Sequence, residues 1–248
     1  MVLLIFGDVN TIDVVMAFAT GLVASLTISL AYKISEAGQP NWIPRKLVHI
    51  LMGSIIAFTV VTYSNLSGPT LAAGIFFTVL MFAWAHKHDL IMQLLGAGSR
   101  ENESKLNTFA SGIMGLTGFG TAFLVFQARP EIFVAAILAV AWGDAAGEVF
   151  GRTYGTKLIK KRIGSKSFEG TISVFLFSLL SLCVAIVFYS DACVLCVLPQ
   201  LIVIAATIAF VELVSIGWTD NFLIPIVTAI LMWQMLFPSM PLLPLPVS

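Results

Sequence analysis

The sequence predicts an all-α integral membrane protein, a polytopic bundle of about eight transmembrane helices, some short or broken. Three observations predict it. The 248 residues are 58% hydrophobic and only 10% charged, against about 25% charged in a soluble domain. Mean hydropathy is +0.99, and a core of this length cannot hide so much apolar surface from water. The lysines and arginines fall in alternate loops. Formal net charge is zero, so bulk charge suggests no nucleic-acid partner.

A membrane helix needs about 20 mostly apolar residues. Eight segments meet or approach that length: about 11–33, 46–63, 69–86, 107–127, 130–151, 170–189, 193–217 and 222–238. No basic n-region precedes the first, so it is expected to remain in the membrane rather than act as a signal peptide. Residues 88–98 are too short to span and are expected in the interface. Glycines interrupt several spans, which leaves room for a re-entrant one. The tail from Pro238 has too many prolines for a helix and is expected along the outer surface. No repeat or low-complexity linker divides the chain, so residues 1–248 read as one membrane domain.

Charge orients the bundle. Of 13 basic residues, 12 fall on one side: Lys33, Arg45 and Lys46; Lys87, Arg100 and Lys105; and Arg152, Lys157, Lys160, Lys161, Arg162 and Lys166. The positive-inside rule makes loops at about 34–45, 87–106, 152–169 and 218–221 cytoplasmic, with both termini extracytoplasmic. Arg129 stands alone on the opposite side, where replacement is expected to be nearly neutral. The membrane would be the plasma membrane in a prokaryote or the endoplasmic reticulum in a eukaryote. Cys193 and Cys196 form a C-x-x-C without the second pair a zinc site needs; with Cys183 they are expected to be small packing residues.

The most polar stretch is Trp142–Thr171. Read as a helix, its first half puts Asp144, Glu148 and Gly151 on one face, with Gly147, Gly151 and Gly155 on a neighbouring stripe. Two carboxylates there suit a divalent cation, and the glycines let phosphates come close. The same glycines suit helix packing, and Glu148 suits a structural salt bridge to Arg152. The loop 152–169 carries six basic residues and one acid. It reads as a topology determinant that attracts anionic headgroups. Its ending, Lys166-Ser167-Phe168-Glu169-Gly170, adds a lysine, a hydroxyl and a glycine suited to clamping phosphate.

Two further elements fall near the same membrane face. Arg45 and Lys46 open the second span and suit phosphate or interface snorkelling, with His49 one turn on as a phosphate ligand or general base. Glu212 lies inside the seventh span, where an ionisable residue is a functional candidate by default; hydrogen bonding to Ser215 is the structural alternative. Asp220 and Asn221 follow, as metal ligands or as caps of the eighth helix. His86, His88 and Asp89 read as interfacial. Gly112, Gly115, Gly118 and Gly120 read as packing positions of the fourth span.

Four short elements, in order, resemble the polyprenol kinase family of CTP-dependent membrane lipid kinases, whose members act on dolichol, phytol or diacylglycerol. They are Arg45-Lys46-x-x-His49; Gly143-Asp144 with Gly151 and Gly155; Lys166-Ser167-Phe168-Glu169-Gly170; and Glu212 with Asp220-Asn221 and Pro225. The resemblance spans about residues 45–225 and departs where the family's usual alanine is Gly147. It implies that Asp144, Gly151, Gly155, Lys166, Glu169 and Gly170 hold CTP and its metal.

The resulting expectation is a kinase moving the γ-phosphate of CTP to a membrane isoprenoid alcohol, polyprenol-type first and phytol or geranylgeraniol next. Mg²⁺ would be held by Asp144, with Glu148, Asp220 or Asn221. Gly147, Gly151, Gly155, Lys166, Ser167, Glu169, Gly170, Arg45 and Lys46 would surround the nucleotide. His49 or Glu212 would be the base, on the cytoplasmic face. A CTP-using lipid cytidylyltransferase and an ion-coupled transporter are the alternatives; the sequence leaves the oligomeric state open.

Overall fold

The computed structural model describes residues 7–40, 42–65, 67–86, 105–126, 129–160, 165–216 and 219–239. The interfacial run 88–98, His88, Asp89 and most of the proline-rich tail lie outside these. The chain divides into two compact units, Met1–Thr108 and Phe109–Ser248.

The first unit holds α1 (Thr11–Glu36), α2 (Trp42–Thr59) with a one-turn 3₁₀ extension to Thr62, and α3 (Ser67–His86). α1 buries small residues, Ala17, Gly21, Ala24, Thr27 and Ala31, and turns Phe18, Leu22, Leu26 and Leu30 outward. Small residues inside and large apolar ones outside is the reverse of a soluble helix. It is the pattern of a helix that packs on neighbours through close backbone approach while lipid takes its bulky face. Gly21 shows the approach: a Cβ there would meet Ile75 Cγ2 at 3.2 Å.

α1 starts at a capping box. Asn10 accepts the Asp13 N–H at 2.8 Å, and Asp13 accepts the Asn10 N–H at 3.1 Å. Asp13 is fully buried because it also accepts the Ser64 N–H at 2.9 Å and the Ser64 hydroxyl at 2.6 Å. One carboxylate thereby ties the start of α1 to the turn between α2 and α3. We expect Asp13→Ala to cost about 3 kcal/mol, since hydrogen bonds to a charged group contribute about 1.5–3 kcal/mol each. Thermal unfolding in detergent measures it.

The second unit holds most of α4 (Lys105–Phe126), then α5 (Pro130–Leu138), a π-helical segment (Ala139–Asp144) and α6 (Ala145–Tyr154). α7 (Phe168–Tyr189), α8 (Val194–Val214) and α9 (Asp220–Leu236) complete it. The run from Pro130 to Tyr154 is the centre of this unit. Every residue from Glu131 to Ala141 is buried, packed by α7 and α9. Its alanines and glycines permit that enclosure. α7 repeats the inside-out pattern, burying Gly170, Ser173, Val174 and Ser178 and exposing Ile172, Leu176 and Leu180. Gly118 of α4 lies against α9, where a Cβ would meet Pro225 Cγ at 3.0 Å and the Asn221 carbonyl at 3.1 Å.

Among the described residues, five helices are long and apolar enough to cross a membrane: Thr11–Glu36, Trp42–Thr62, Pro130–Tyr154, Phe168–Tyr189 and Val194–Val214. The segments expected at 69–86, 107–127 and 222–238 correspond to α3, α4 and α9, though α9 has 17 residues, short for a span.

The all-helical expectation holds, with three departures of detail. Leu158–Lys160 (β1) and Ser165–Ser167 (β2) form a short antiparallel pair in the basic loop. Strands of three residues leave no periodic signal in a search for spans. Cys193 and Cys196 are not packing residues but a disulfide at the start of α8. One turn of spacing at a helix start puts their Cα atoms 5.2 Å apart, within bridging range.

Arg129, the third, is not a neutral outlier. It pairs with Glu131 at 3.3 Å, and Glu131 is 1% exposed. Its guanidinium also lies 4.9 Å from the Phe237 ring centre. Arg129→Ala is therefore expected to destabilise the second unit by about 1–2 kcal/mol. That is below the figure for a fully buried pair because the arginine is half exposed. A midpoint shift in thermal unfolding, absent in Arg129→Lys if the ammonium restores the pair, checks it.

Candidate active site

The site is built by the π-helical segment, the β hairpin and the facing ends of α8 and α9. Asp144 is the last residue of the π-helical turn and is 6% exposed. A π turn inserts one residue into the helical repeat and so rotates the helix beyond it; such turns concentrate at functional sites. Here the rotation falls at the carboxylate.

The hairpin register decides where Lys166 goes. Lys166 pairs with Ile159, and Ser167 with Leu158. Successive strand residues point to opposite faces, so Lys166 and Ser167 leave the strand in opposite directions. Ser167 turns to α6: its Oγ lies 3.5 Å from the Gly151 carbonyl, and it accepts the Gly170 N–H at 3.1 Å as the N-cap of α7. Lys166 turns to α8, where its Nζ donates to both the carboxylate and the main-chain carbonyl of Glu212. The hairpin thus links α6 to α8, with Lys166 reaching a partner 46 residues on in the chain.

Glu212 is 7% exposed, and Asp144 and Asp220 both act on it electrostatically. Asp220 and Asn221, at the start of α9, are 4% and 7% exposed. Asp220 accepts the Asn221 N–H at 2.9 Å. Neither is the N-cap, which is Thr219. Ser215 donates to the Glu212 carbonyl at 2.8 Å, not to its carboxylate. Asp144, Lys166, Glu212 and Asp220 therefore gather at one end of the second unit, bringing together three of the four elements singled out in the sequence.

The other expected residues take structural places. Glu148 pairs with Arg152 at 3.0 Å, the salt bridge that the sequence allowed as its structural role. Glu169 accepts from the Thr156 hydroxyl at 2.5 Å, closing the base of the hairpin. Its other oxygen, Oε2, is buried and makes no hydrogen bond among the described residues. The glycines have a packing role. A Cβ on Gly170 would sit 2.7 Å from the Gly147 carbonyl, one on Gly151 would sit 2.9 Å from Ser167 Oγ, and one on Gly155 would strike the Gly151 carbonyl. They bring α6, the hairpin and α7 into backbone contact. Arg45 and Lys46 are buried on α2, with His49 half-buried one turn on; all three belong to the first unit.

No cluster of three or more metal-ligating side chains occurs among the described residues. Mg²⁺ does not need one, because it binds through one or two carboxylates and completes its shell with water and substrate phosphates. Asp144 and Asp220 fit that requirement. Sequence reasoning missed Ile159, Thr156 and the π turn. Only Ile159, a β-branched residue between Leu158 and Lys160, left any signal.

The arrangement defines a helical membrane protein in which a half-buried lysine pairs with a buried carboxylate at one end of its spans. The chain is 26% identical over 235 residues to the phytol kinase of Synechocystis sp., an alignment covering 90% of this chain and 94% of that protein. This similarity supports a relationship to the polyprenol and phytol kinase family, as the four motifs imply. No protein-family model matches the chain, and no solved structure matches it.

Proposed function

We propose that this chain is a membrane kinase that transfers the γ-phosphate of CTP to the hydroxyl of an isoprenoid alcohol. The observation that carries the reading is the convergence of Lys166 and Glu212 beside Asp144 and Asp220. The likeness to a phytol kinase over nine-tenths of the chain supports it and moves phytol ahead of longer polyprenols. The cytidylyltransferase and transporter readings gain nothing from either observation.

Phosphoryl transfer asks a protein for positioning and charge neutralisation more than covalent chemistry. The acceptor oxygen bonds to the γ-phosphorus as the bond to the β–γ bridging oxygen breaks. CDP leaves, and the hydroxyl proton passes to water. Lys166 would meet the phosphates with a charge-assisted hydrogen bond. Asp144 and Asp220 would hold Mg²⁺, which would supply positive charge to offset that of the phosphates. The Glu169 Oε2 acceptor would meet a donor of the nucleotide. The lipid chain would stay among the helices.

Purified protein in detergent with Mg²⁺, γ-labelled CTP or ATP, and a panel of phytol, geranylgeraniol, polyprenol and diacylglycerol tests this. The expected result is label in an isoprenoid alcohol with CTP. Absence of labelled lipid with any donor, from protein that unfolds cooperatively on heating, overturns it.

A further inference from the structure

We infer that Glu212 is a positioning residue that holds Lys166 in place, and not the base for the acceptor hydroxyl; this rests on the proposed kinase activity. A lysine ammonium has three N–H donors and no acceptor. Lys166 commits two of them to Glu212, one to Oε1 and one to the main-chain carbonyl. Its side chain keeps 26% exposure, so one donor and an open side remain for an anionic ligand.

The Glu212 carbonyl is available because α8 ends there. Ile216, four residues on, gives its N–H to the Thr219 hydroxyl at 3.1 Å instead of continuing the helix. The last turn of α8 has no basic residue of its own. Lys166 supplies that charge from the hairpin, at the negative end of the helix where a cation is favoured. The root of the lysine is equally fixed. The Phe168 N–H bonds the Lys157 carbonyl at 3.0 Å, and the flanking Ser167 is locked against α6 and α7. A four-carbon side chain is thus held at both ends before any ligand arrives, which removes the ordering cost a free lysine would carry.

Taking up a proton would cost Glu212 its ion pair with Lys166 and leave that ammonium without its counter-charge. Phosphoryl transfer through a loose transition state also makes little demand for early proton removal. Glu212 serves the reaction through Lys166, and the proton leaves by another route.

Glu212→Gln separates the two roles. The amide keeps the shape and an oxygen that accepts from Lys166, but it cannot act as a base. Wild-type transfer from γ-labelled CTP to phytol is measured first; if the wild type transfers nothing from any donor, the kinase reading falls and takes this inference with it. With an active wild type, the variant decides the inference alone. Positioning predicts that the loss in kcat/KM lies chiefly in the KM for CTP, by about tenfold. It also predicts that Glu212→Gln adds nothing further in a Lys166→Ala background. A base predicts a fall in kcat of about 10²–10⁴-fold, undiminished in that background. Either of those results overturns the proposal. Acetic anhydride labelling of Lys166 in ligand-free protein, read by peptide mass, is expected to be faster in Glu212→Ala than in Glu212→Gln; equal rates count against it.

Discussion

Asp144→Asn is expected to lower kcat/KM for phosphate transfer by about 10³-fold while leaving the protein folded. The amide matches the carboxylate in volume, so the packing around a residue with 6% exposure is preserved. What disappears is the charge. Mg²⁺ prefers carboxylate oxygen, and loss of one element of a preorganised phosphate site typically costs about 10²–10³-fold or more. Asp144 closes the π turn, and Glu148, one turn on, is engaged by Arg152 at 3.0 Å rather than placed to replace it. Raising Mg²⁺ should recover part of the loss. Unchanged transfer, with an unchanged unfolding midpoint, would remove Asp144 from the site.

Gly170→Ala is expected to cost about 3 kcal/mol of stability, near the upper end for overpacking a tight interface. The added methyl would meet the Gly147 carbonyl at 2.7 Å and Gly151 Cα at 3.2 Å. Both obstacles are backbone, so no side chain can rotate away. The helices would have to separate, carrying Ser167 and the root of Lys166 with them. Two roles for this glycine then give different results. If it serves only to admit phosphate, the variant loses CTP affinity and keeps its unfolding midpoint. If it joins α6 to α7, the midpoint falls with or without nucleotide. The geometry requires the second result.

The membrane-helical character was legible in the sequence, because apolar runs of spanning length with few charges report directly on the solvent a helix faces. So were Asp144, Lys166, Glu212 and Asp220, since charge in a hydrocarbon-rich chain is conspicuous. Their mutual arrangement was not. Lys166 and Glu212 meet only because a one-residue alternation in a three-residue strand turns one side chain to α6 and the next to α8. A register of that kind has no footprint in composition. Spacing alone could not choose between phosphate contact and packing for Gly147, Gly151 and Gly155, because both require the missing Cβ. Arg129 misled for a related reason: its partner is a buried Glu131 whose burial depends on helices far along the chain.

The disulfide at the start of α8 has a consequence for where its two ends reside. A helix of 21 residues is about 31 Å long, close to the thickness of a bilayer's hydrocarbon. One end carries Cys193–Cys196 and the other the Lys166–Glu212 pair. Disulfides persist in oxidising compartments and are kept open in reducing ones. α8 therefore behaves as a redox compass. In sealed vesicles of known sidedness, an impermeant reductant followed by thiol alkylation reads out which way α8 points, with no substrate in the tube.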